Sequence, residues 1–306
     1  MNWIKFSISV SLLLCLISCT EKDQQTSDNK IEESQSKYLI EAEDLLSIID
    51  QDSIVLLDLQ RPEDFQKGHL PYAINIWRSE LNNASFKYDG MLPEKDFLEN
   101  ILGKKGITDD SHLVLYDNRG SCEATRLWWV LKQYGYDRMA ILNGGTQAWQ
   151  QLDSLTKIVT KRTPGDFRFP EGTTTQTSDN ILMEKLSELI NQESLLVLDT
   201  RSKDEYEGLS LKKGALWAGK IPGSIHIDWM EAVDQSNYRF KEISELQNIY
   251  KEVLNNERLA ITYCHSGVRS THTFFVLTEL LGRENVKNYD GSWVEWTHHL
   301  QPDLVN

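Results

Sequence analysis

Leu259-Ala260-Ile261-Thr262-Tyr263-Cys264-His265-Ser266-Gly267-Val268-Arg269 is an apolar run of strand length that ends on a cysteine and a glycine-containing turn, and the helical run Thr271 to Leu281 follows it. A buried strand delivering a cysteine to the start of a helix predicts a reactive thiol. Successive backbone N–H groups in such a turn face inward as an anion-binding nest, and the helix N-terminus adds partial positive charge. Both favour thiolate over thiol: free cysteine titrates near ~8.5, and comparable surroundings bring it to roughly 3.5–7.5. Most free cysteines serve as small buried hydrophobes, but Gly267 with His265 and Arg269 suits reactivity better than inert packing.

The stretch also belongs to a repeat, which decides the fold. Ile54-Val55-Leu56-Leu57-Asp58 recurs as Leu195-Leu196-Val197-Leu198-Asp199, each followed by an acidic-aromatic segment, Glu63-Asp64-Phe65 and Asp204-Glu205-Tyr206. Gly68-His69-Leu70-Pro71 corresponds to Gly219-Lys220-Ile221-Pro222 only if the second copy holds an insertion around Gly208 to Ala218. Leu115-Tyr116-Asp117 then matches Thr262-Tyr263-Cys264, and Asn143-Gly144-Gly145 with Trp149 matches Asp290-Gly291-Ser292 with Trp296. Apolar runs alternating with helical patterns predict an α/β fold, two tandem domains each with a parallel sheet flanked by helices. Ligands of such sheets sit beyond the carboxyl ends of the strands, where Cys264 falls. The first domain is expected over 38–152 and the second over 180–302. Residues 153–179, with Pro164-Gly165, Pro170, Gly172 and a threonine-rich run, read as a connecting segment long enough to wrap around the domains.

Aligning the two loops assigns them different work. Asp117-Asn118-Arg119-Gly120-Ser121-Cys122 puts an aspartate where the second copy has Cys264. A carboxylate there cannot carry a transferred sulfur atom, so the first domain is expected to be inactive and the second catalytic. Cys122 aligns with Arg269, which reads as a packed thiol; a resolving cysteine for Cys264 is the alternative.

Cysteine-dependent phosphatases have a similar loop but place the arginine six positions after the nucleophile, in a cradle wide enough for phosphate. Here that position is Ser270, and the arginine stands one step earlier. The tighter loop resembles that of the rhodanese sulfurtransferases. Ser266-Gly267-Val268 is similar to the loop centre of thiosulfate and mercaptopyruvate sulfurtransferases, and Tyr289-Asp290-Gly291-Ser292-Trp293-Val294-Glu295-Trp296 resembles their C-terminal signature. The resemblance implies transfer of a sulfane sulfur from thiosulfate, or 3-mercaptopyruvate, through a Cys264 persulfide to a thiophilic acceptor such as cyanide or a thiol. It also implies an inactive N-terminal copy. A persulfide carrier or sensor without turnover is the alternative function, and a phosphatase a more distant one.

The same resemblance leaves the donor open. The thiosulfate type commonly carries a lysine two positions after the nucleophile and a second arginine four positions beyond its Asp-x-Arg; here those positions hold Ser266 and Glu205. Ser266 fits the mercaptopyruvate type, yet that type has a histidine before Met-Leu-Pro, and Gly90 precedes Met91-Leu92-Pro93. Substrate contacts are expected from His265, Ser266, Gly267, Val268 and Arg269. Arg78 is a further candidate, reaching in from the first domain, although an exposed strand-end arginine explains it equally. Arg201, in Asp199-Thr200-Arg201, is another, with a structural ion pair as its competing role. His298 and His299 read as surface residues, Trp128 and Trp129 as core.

The formal net charge of −14 disfavours nucleic acid as a partner. Anionic donors must therefore be drawn in by a local positive region, for which His265, Arg269, Arg78 and Arg201 are the candidates. At the N-terminus, Lys5 precedes an apolar stretch from Phe6 to Ile17, shorter than the ~20 residues that span a bilayer. A secretory signal over 1–18 is expected. Its end, Leu16-Ile17-Ser18-Cys19, resembles the bacterial lipoprotein cleavage box, which implies lipidation of Cys19, a flexible tether over 19–37 and an exported, membrane-anchored protein. Cys15 leaves with the signal, so Cys122 and Cys264 remain as free thiols. With no C-x-x-C or Cys/His cluster, neither a metal nor another cofactor is expected.

Overall fold

The computed structural model describes residues 36–83, 85–172, 179–190, 192 and 194–299. The expected signal, Cys19 and nearly all of the tether lie outside the described residues, as do 300–302. Strands β1 (Leu39–Ile40), β2 (Ile54–Asp58), β3 (Ile74–Asn75), β4 (His112–Tyr116) and β5 (Met139–Leu142) form one sheet in the order β1-β5-β4-β2-β3. Strands β6 (Leu195–Asp199), β7 (Ile225–His226), β8 (Leu259–Tyr263) and β9 (Val286–Asn288) form a second, in the order β7-β6-β8-β9. Every pairing is parallel. The central strands β2, β4, β6 and β8 are mostly apolar and buried because helices cover both faces of a parallel sheet.

Helices α1 (Ala42–Ile48), α2 (Pro62–Phe65), α3 (Lys95–Lys104), α4 (Cys122–Gln133) and α5 (Gly145–Trp149) belong to the first half. The second half contributes α6 (Met183–Leu189), α7 (Lys203–Tyr206), α8 (Ile243–Ile249), α9 (Lys251–Leu254), α10 (Val268–Phe275) and α11 (Ser292–His299). The helical run expected to Leu281 is α-helical only to Phe275; Val276–Leu280 continues as a π-helical turn, closed by Leu281 N–H on the Val276 carbonyl at 2.9 Å. The repeat extends to single hydrogen bonds. Tyr116 Oη accepts from Leu70 N–H and Tyr263 Oη from Ile221 N–H, each at 3.1 Å.

Each sheet has an outer apolar face of its own, but the inner faces share one core. Helix α4 lies against α10, with Trp128 edge-on to Phe275 at 4.9 Å between centroids, and Trp129 and Phe274 fully buried in the same cluster. Eleven of the twelve residues of α4 are buried, because the helix is covered by its own sheet on one side and by α10 on the other. The connecting segment lies along the first half. Thr156 pairs with His69, and Phe167 and Phe169 pack against Tyr136 and Tyr134.

Candidate active site

Strand β8 ends at Tyr263, and Cys264 stands at its carboxyl end with 1% of its surface exposed. Gly267 caps α10 at φ +77°, a left-handed conformation that glycine adopts without a steric penalty. A Cβ there would also meet the Asp290 carbonyl at 2.7 Å. Ser292 pins the turn from behind: its Oγ accepts the N–H groups of Cys264 and Gly267, both at 3.1 Å, and donates to the Tyr289 carbonyl.

The Cys264 thiol lies below its ordinary value. Burial pushes it up, but the Arg269 charge and hydrogen bonds from the backbone N–H groups of Ser270 and Ser266 together outweigh that. The nest read from the sequence is thus formed around the sulfur.

Arg269 is not a free anion receptor. Its Nη1 and Nη2 donate to Glu205 Oε2 and Oε1 at 2.6 and 2.9 Å. Burial raises the Glu205 carboxyl, yet the Arg269 hydrogen bond and charge hold it well below the usual carboxylate range. Ser202 Oγ and Lys212 Nζ complete the surroundings of Glu205 at 3.0 and 3.2 Å. The acidic residue that departs from the family pattern and the arginine expected to contact the donor are partners.

Two other substrate contacts are corrected, and Arg201 takes the structural of its two expected roles. Arg201 is buried, with Nε and Nη2 on Asp199 and Nη2 also on the Gly219 carbonyl at 2.7 Å, so it makes the structural ion pair and braces the end of β6. Arg78 pairs with Glu123 at 3.0 Å and so serves the loop of the first half. His265 adds no cation: burial lowers its pKa, the Lys213 carbonyl opposes that, and Arg269 and Lys212 lower it further. Its Nε2–H donates to the Lys213 carbonyl at 3.1 Å. Val268 turns its side chain into a cluster with Cys122, Trp229 and Val233, leaving only its backbone for the loop. Ser266 lies under Gly90, whose φ is +100°; a Cβ at position 90 would come within 2.4 Å of the Ser266 carbonyl oxygen.

The equivalent loop of the first half is filled by its own side chain. Asp117 Oδ1 accepts from the N–H groups of Arg119 and Ser121, and Oδ2 from those of Glu123 and Ala124, at 2.7 to 3.1 Å. The carboxylate thus occupies the nest as a tethered anion. Cys122 is buried, and desolvation with the neighbouring Glu123 and Asp117 carboxylates pushes its thiol well above the ordinary value, the opposite of what a resolving thiolate requires.

Arg126 gave no signal in the sequence. From α4 it donates to Asp290 Oδ1 at 2.6 Å, to the Gly90 carbonyl at 2.6 Å and to the Gly267 carbonyl at 3.4 Å. Asp290 Oδ2 in turn accepts Leu92 N–H at 2.6 Å. The first half therefore supplies one wall of the catalytic loop.

Two parallel-sheet units, a cysteine nest in one and an aspartate in the other, define a tandem α/β protein built around a single activated thiol. The profile of the rhodanese-like domain matches residues 41–152 and 182–299, and the chain belongs to the rhodanese family. The thiosulfate sulfurtransferase of Corynebacterium glutamicum is 33% identical over 236 residues, covering 75% of this chain and 77% of that protein. SseA of Mycobacterium bovis is 32% identical over 269 residues, 85% of each. Among solved structures, Escherichia coli SseA, described as a 3-mercaptopyruvate sulfotransferase, superposes with a TM-score of 0.71 at 24% identity, covering 84% of this chain and 98% of that one. The anaerobic ergothioneine biosynthesis enzyme of Chlorobium limicola gives 0.73 at 22%, covering 85% and 68%. The last two likenesses show the fold.

Proposed function

We propose that the chain is a sulfurtransferase that accepts a sulfane sulfur from thiosulfate on Cys264 and passes it to cyanide or a small thiol. The observation that carries this reading is the buried Cys264 sulfur at the end of β8, beside the Arg269 charge and the amides of Ser266 and Ser270, which together lower its pKa. The thiolate attacks the outer sulfur of thiosulfate; the bond between the two donor sulfurs breaks, and sulfite leaves with its electron pair. The Cys264 persulfide then rests in the nest. Attack by cyanide on the outer sulfur gives thiocyanate and returns the thiolate. Splitting one transfer into two through a covalent intermediate predicts ping-pong kinetics.

The test compares thiosulfate and 3-mercaptopyruvate at equal concentration with cyanide as common acceptor. Thiocyanate formation with parallel double-reciprocal lines supports the reading. A single loading of Cys264 without turnover would assign a carrier instead, and hydrolysis of an aryl phosphate a phosphatase. Ser266 favours 3-mercaptopyruvate as the second donor to try.

We also propose that Cys19 is lipidated and tethers the exported protein to a membrane, on the strength of Leu16-Ile17-Ser18-Cys19. Mass spectrometry of the mature N-terminus should find a diacylglyceryl-modified Cys19; an unmodified N-terminus at another residue would refute it.

A further inference from the structure

Three leucines of the second copy's insertion point away from any core. Leu209, Leu211 and Leu216 are 75%, 54% and 61% exposed, within one short stretch whose backbone is nonetheless fixed. The Asp204 carbonyl accepts Leu209 N–H at 2.8 Å and Ser210 N–H at 3.1 Å. Leu216 N–H donates to Thr297 Oγ1, and the Trp217 carbonyl accepts Trp293 Nε1–H, both at 3.1 Å. Apolar side chains held out to solvent on a fixed backbone mark a contact surface.

The charge on this stretch is opposite to that of the whole chain. From Gly208 to Lys220 there are three lysines and no acidic residue, against a net charge of −14. Lys212 is held by Glu205 at 3.2 Å. Lys220 lies over the Tyr206 ring at 3.8 Å, and neither it nor Lys213 has a carboxylate at ion-pair distance among the described residues. Just before the stretch, Lys203 pairs with Glu207 at 3.7 Å, which leaves Asp204 as the acid beside it in sequence. Salt confines the reach of exposed charges to about 8 Å at physiological ionic strength, so these lysines and not the total charge meet an approaching surface. Leucines flanked by lysines and a tryptophan suit the boundary of a bilayer: the apolar side chains enter the acyl region and the ammonium groups snorkel to the phosphates. A lipid on Cys19 would keep residue 36 within about 60 Å of that bilayer, the extended length of the intervening chain, and so make a second, weak contact intramolecular in effect.

We propose that 208–220 is a second membrane contact, with Leu209, Leu211 and Leu216 at the acyl boundary and Lys213 and Lys220 on anionic phospholipid head groups. The inference rests on the reading of Cys19 as the anchor. It holds the cysteine loop, tied to this stretch through His265 and the Lys213 carbonyl, at the lipid surface.

The test reconstitutes the full chain in phosphatidylglycerol vesicles that carry a phospholipid with a diazirine in its acyl chain, and maps the label by mass spectrometry after photolysis. Label is expected in 208–220. Leu209→Ser/Leu211→Ser/Leu216→Ser should lower it at least about fivefold. Lys213→Gln/Lys220→Gln should lower it about three- to tenfold on phosphatidylglycerol and less than about twofold on phosphatidylcholine. Both variants leave the backbone contacts in place, and retained alkylation of Cys264 by iodoacetamide shows that they fold. An unlabelled 208–220 in the wild-type chain would overturn the proposal and leave a protein partner as the occupant of the leucines. A label indifferent to the leucine changes, or to the charge of the lipid, would overturn it too. The N-terminal peptide is read on the same samples. Label in 208–220 with Cys19 unmodified would uphold the contact and refute the anchor, whereas acylated Cys19 with 208–220 unlabelled would do the reverse.

Discussion

Arg126 of the first half and Asp290 of the second meet at 2.6 Å, buried, and the same guanidinium holds the carbonyls of Gly90 and Gly267. Replacing Arg126 by Ala leaves the Asp290 charge buried without its partner, a loss of about 3–5 kcal/mol for pairs of this kind. The expected outcome is a lower urea midpoint together with a reduced kcat, although Arg126 touches neither sulfur nor donor. Denaturation and steady-state kinetics on one preparation check both; a fall in stability with wild-type kcat would show that the loop does not depend on this wall.

Asp117 should behave as a resident anion. Asp117→Ala leaves four backbone N–H groups, three of them buried, without their acceptor, at about 1–3 kcal/mol for each that water does not reach. Its melting temperature should fall, and sulfate should recover more of it than in wild type, because an anion that binds only the folded nest stabilises it by mass action. Thiocyanate formation, where the fold holds, should persist. Thermal scans with sulfate and with chloride at matched ionic strength separate nest filling from screening.

The activated thiol sets a pH profile with a definite sign. Because the Cys264 value is lowered, the thiolate persists as pH falls below the ordinary cysteine value of ~8.5, and reactivity declines only on passing the lowered value. The acid limb of iodoacetamide alkylation should therefore lie at lower pH than that of free cysteine. In the double variant Glu205→Gln/Arg269→Gln, which removes both members of the pair together, the acid limb should move to higher pH. A limb that stays in place would show that the backbone amides alone lower the thiol.

At position 90, even one methyl group should matter. Gly90→Ala combines φ of +100° with an approach of 2.4 Å to the Ser266 carbonyl oxygen, and strained backbone of this sort costs about 1–3 kcal/mol. Loss of kcat together with a lower melting temperature is expected; wild-type values in both would mean that the two halves part here without consequence for the loop.

The cysteine loop, the duplication and the aspartate-bearing loop of the first copy were legible because each is written in local sequence: a strand, a cysteine, a turn glycine, and the same series with an aspartate. Contacts between the halves were not. Arg126 and Asp290 are 164 positions apart, and Arg126 aligns with Thr273, so no motif or periodicity links the pair. Glu205 was visible as a departure from the family pattern, but only the geometry shows that it takes both arms of Arg269. Arg78 and Arg201 read as candidate anion receptors because sequence records a charge and not its partner. Trp128 and Trp129 announced a core, without showing that it runs through both halves.

That shared core constrains how such a chain can change. Helix α4 has almost no face of its own, and removing the first half would strip α10 of Phe275's partner and the cysteine loop of a wall. An aspartate in place of the cysteine therefore does not make that copy dispensable. The duplication acts as a ratchet: the half without the cysteine stays an obligate part of the same chain, held to its shape wherever it meets its sibling and at the nest its own aspartate fills.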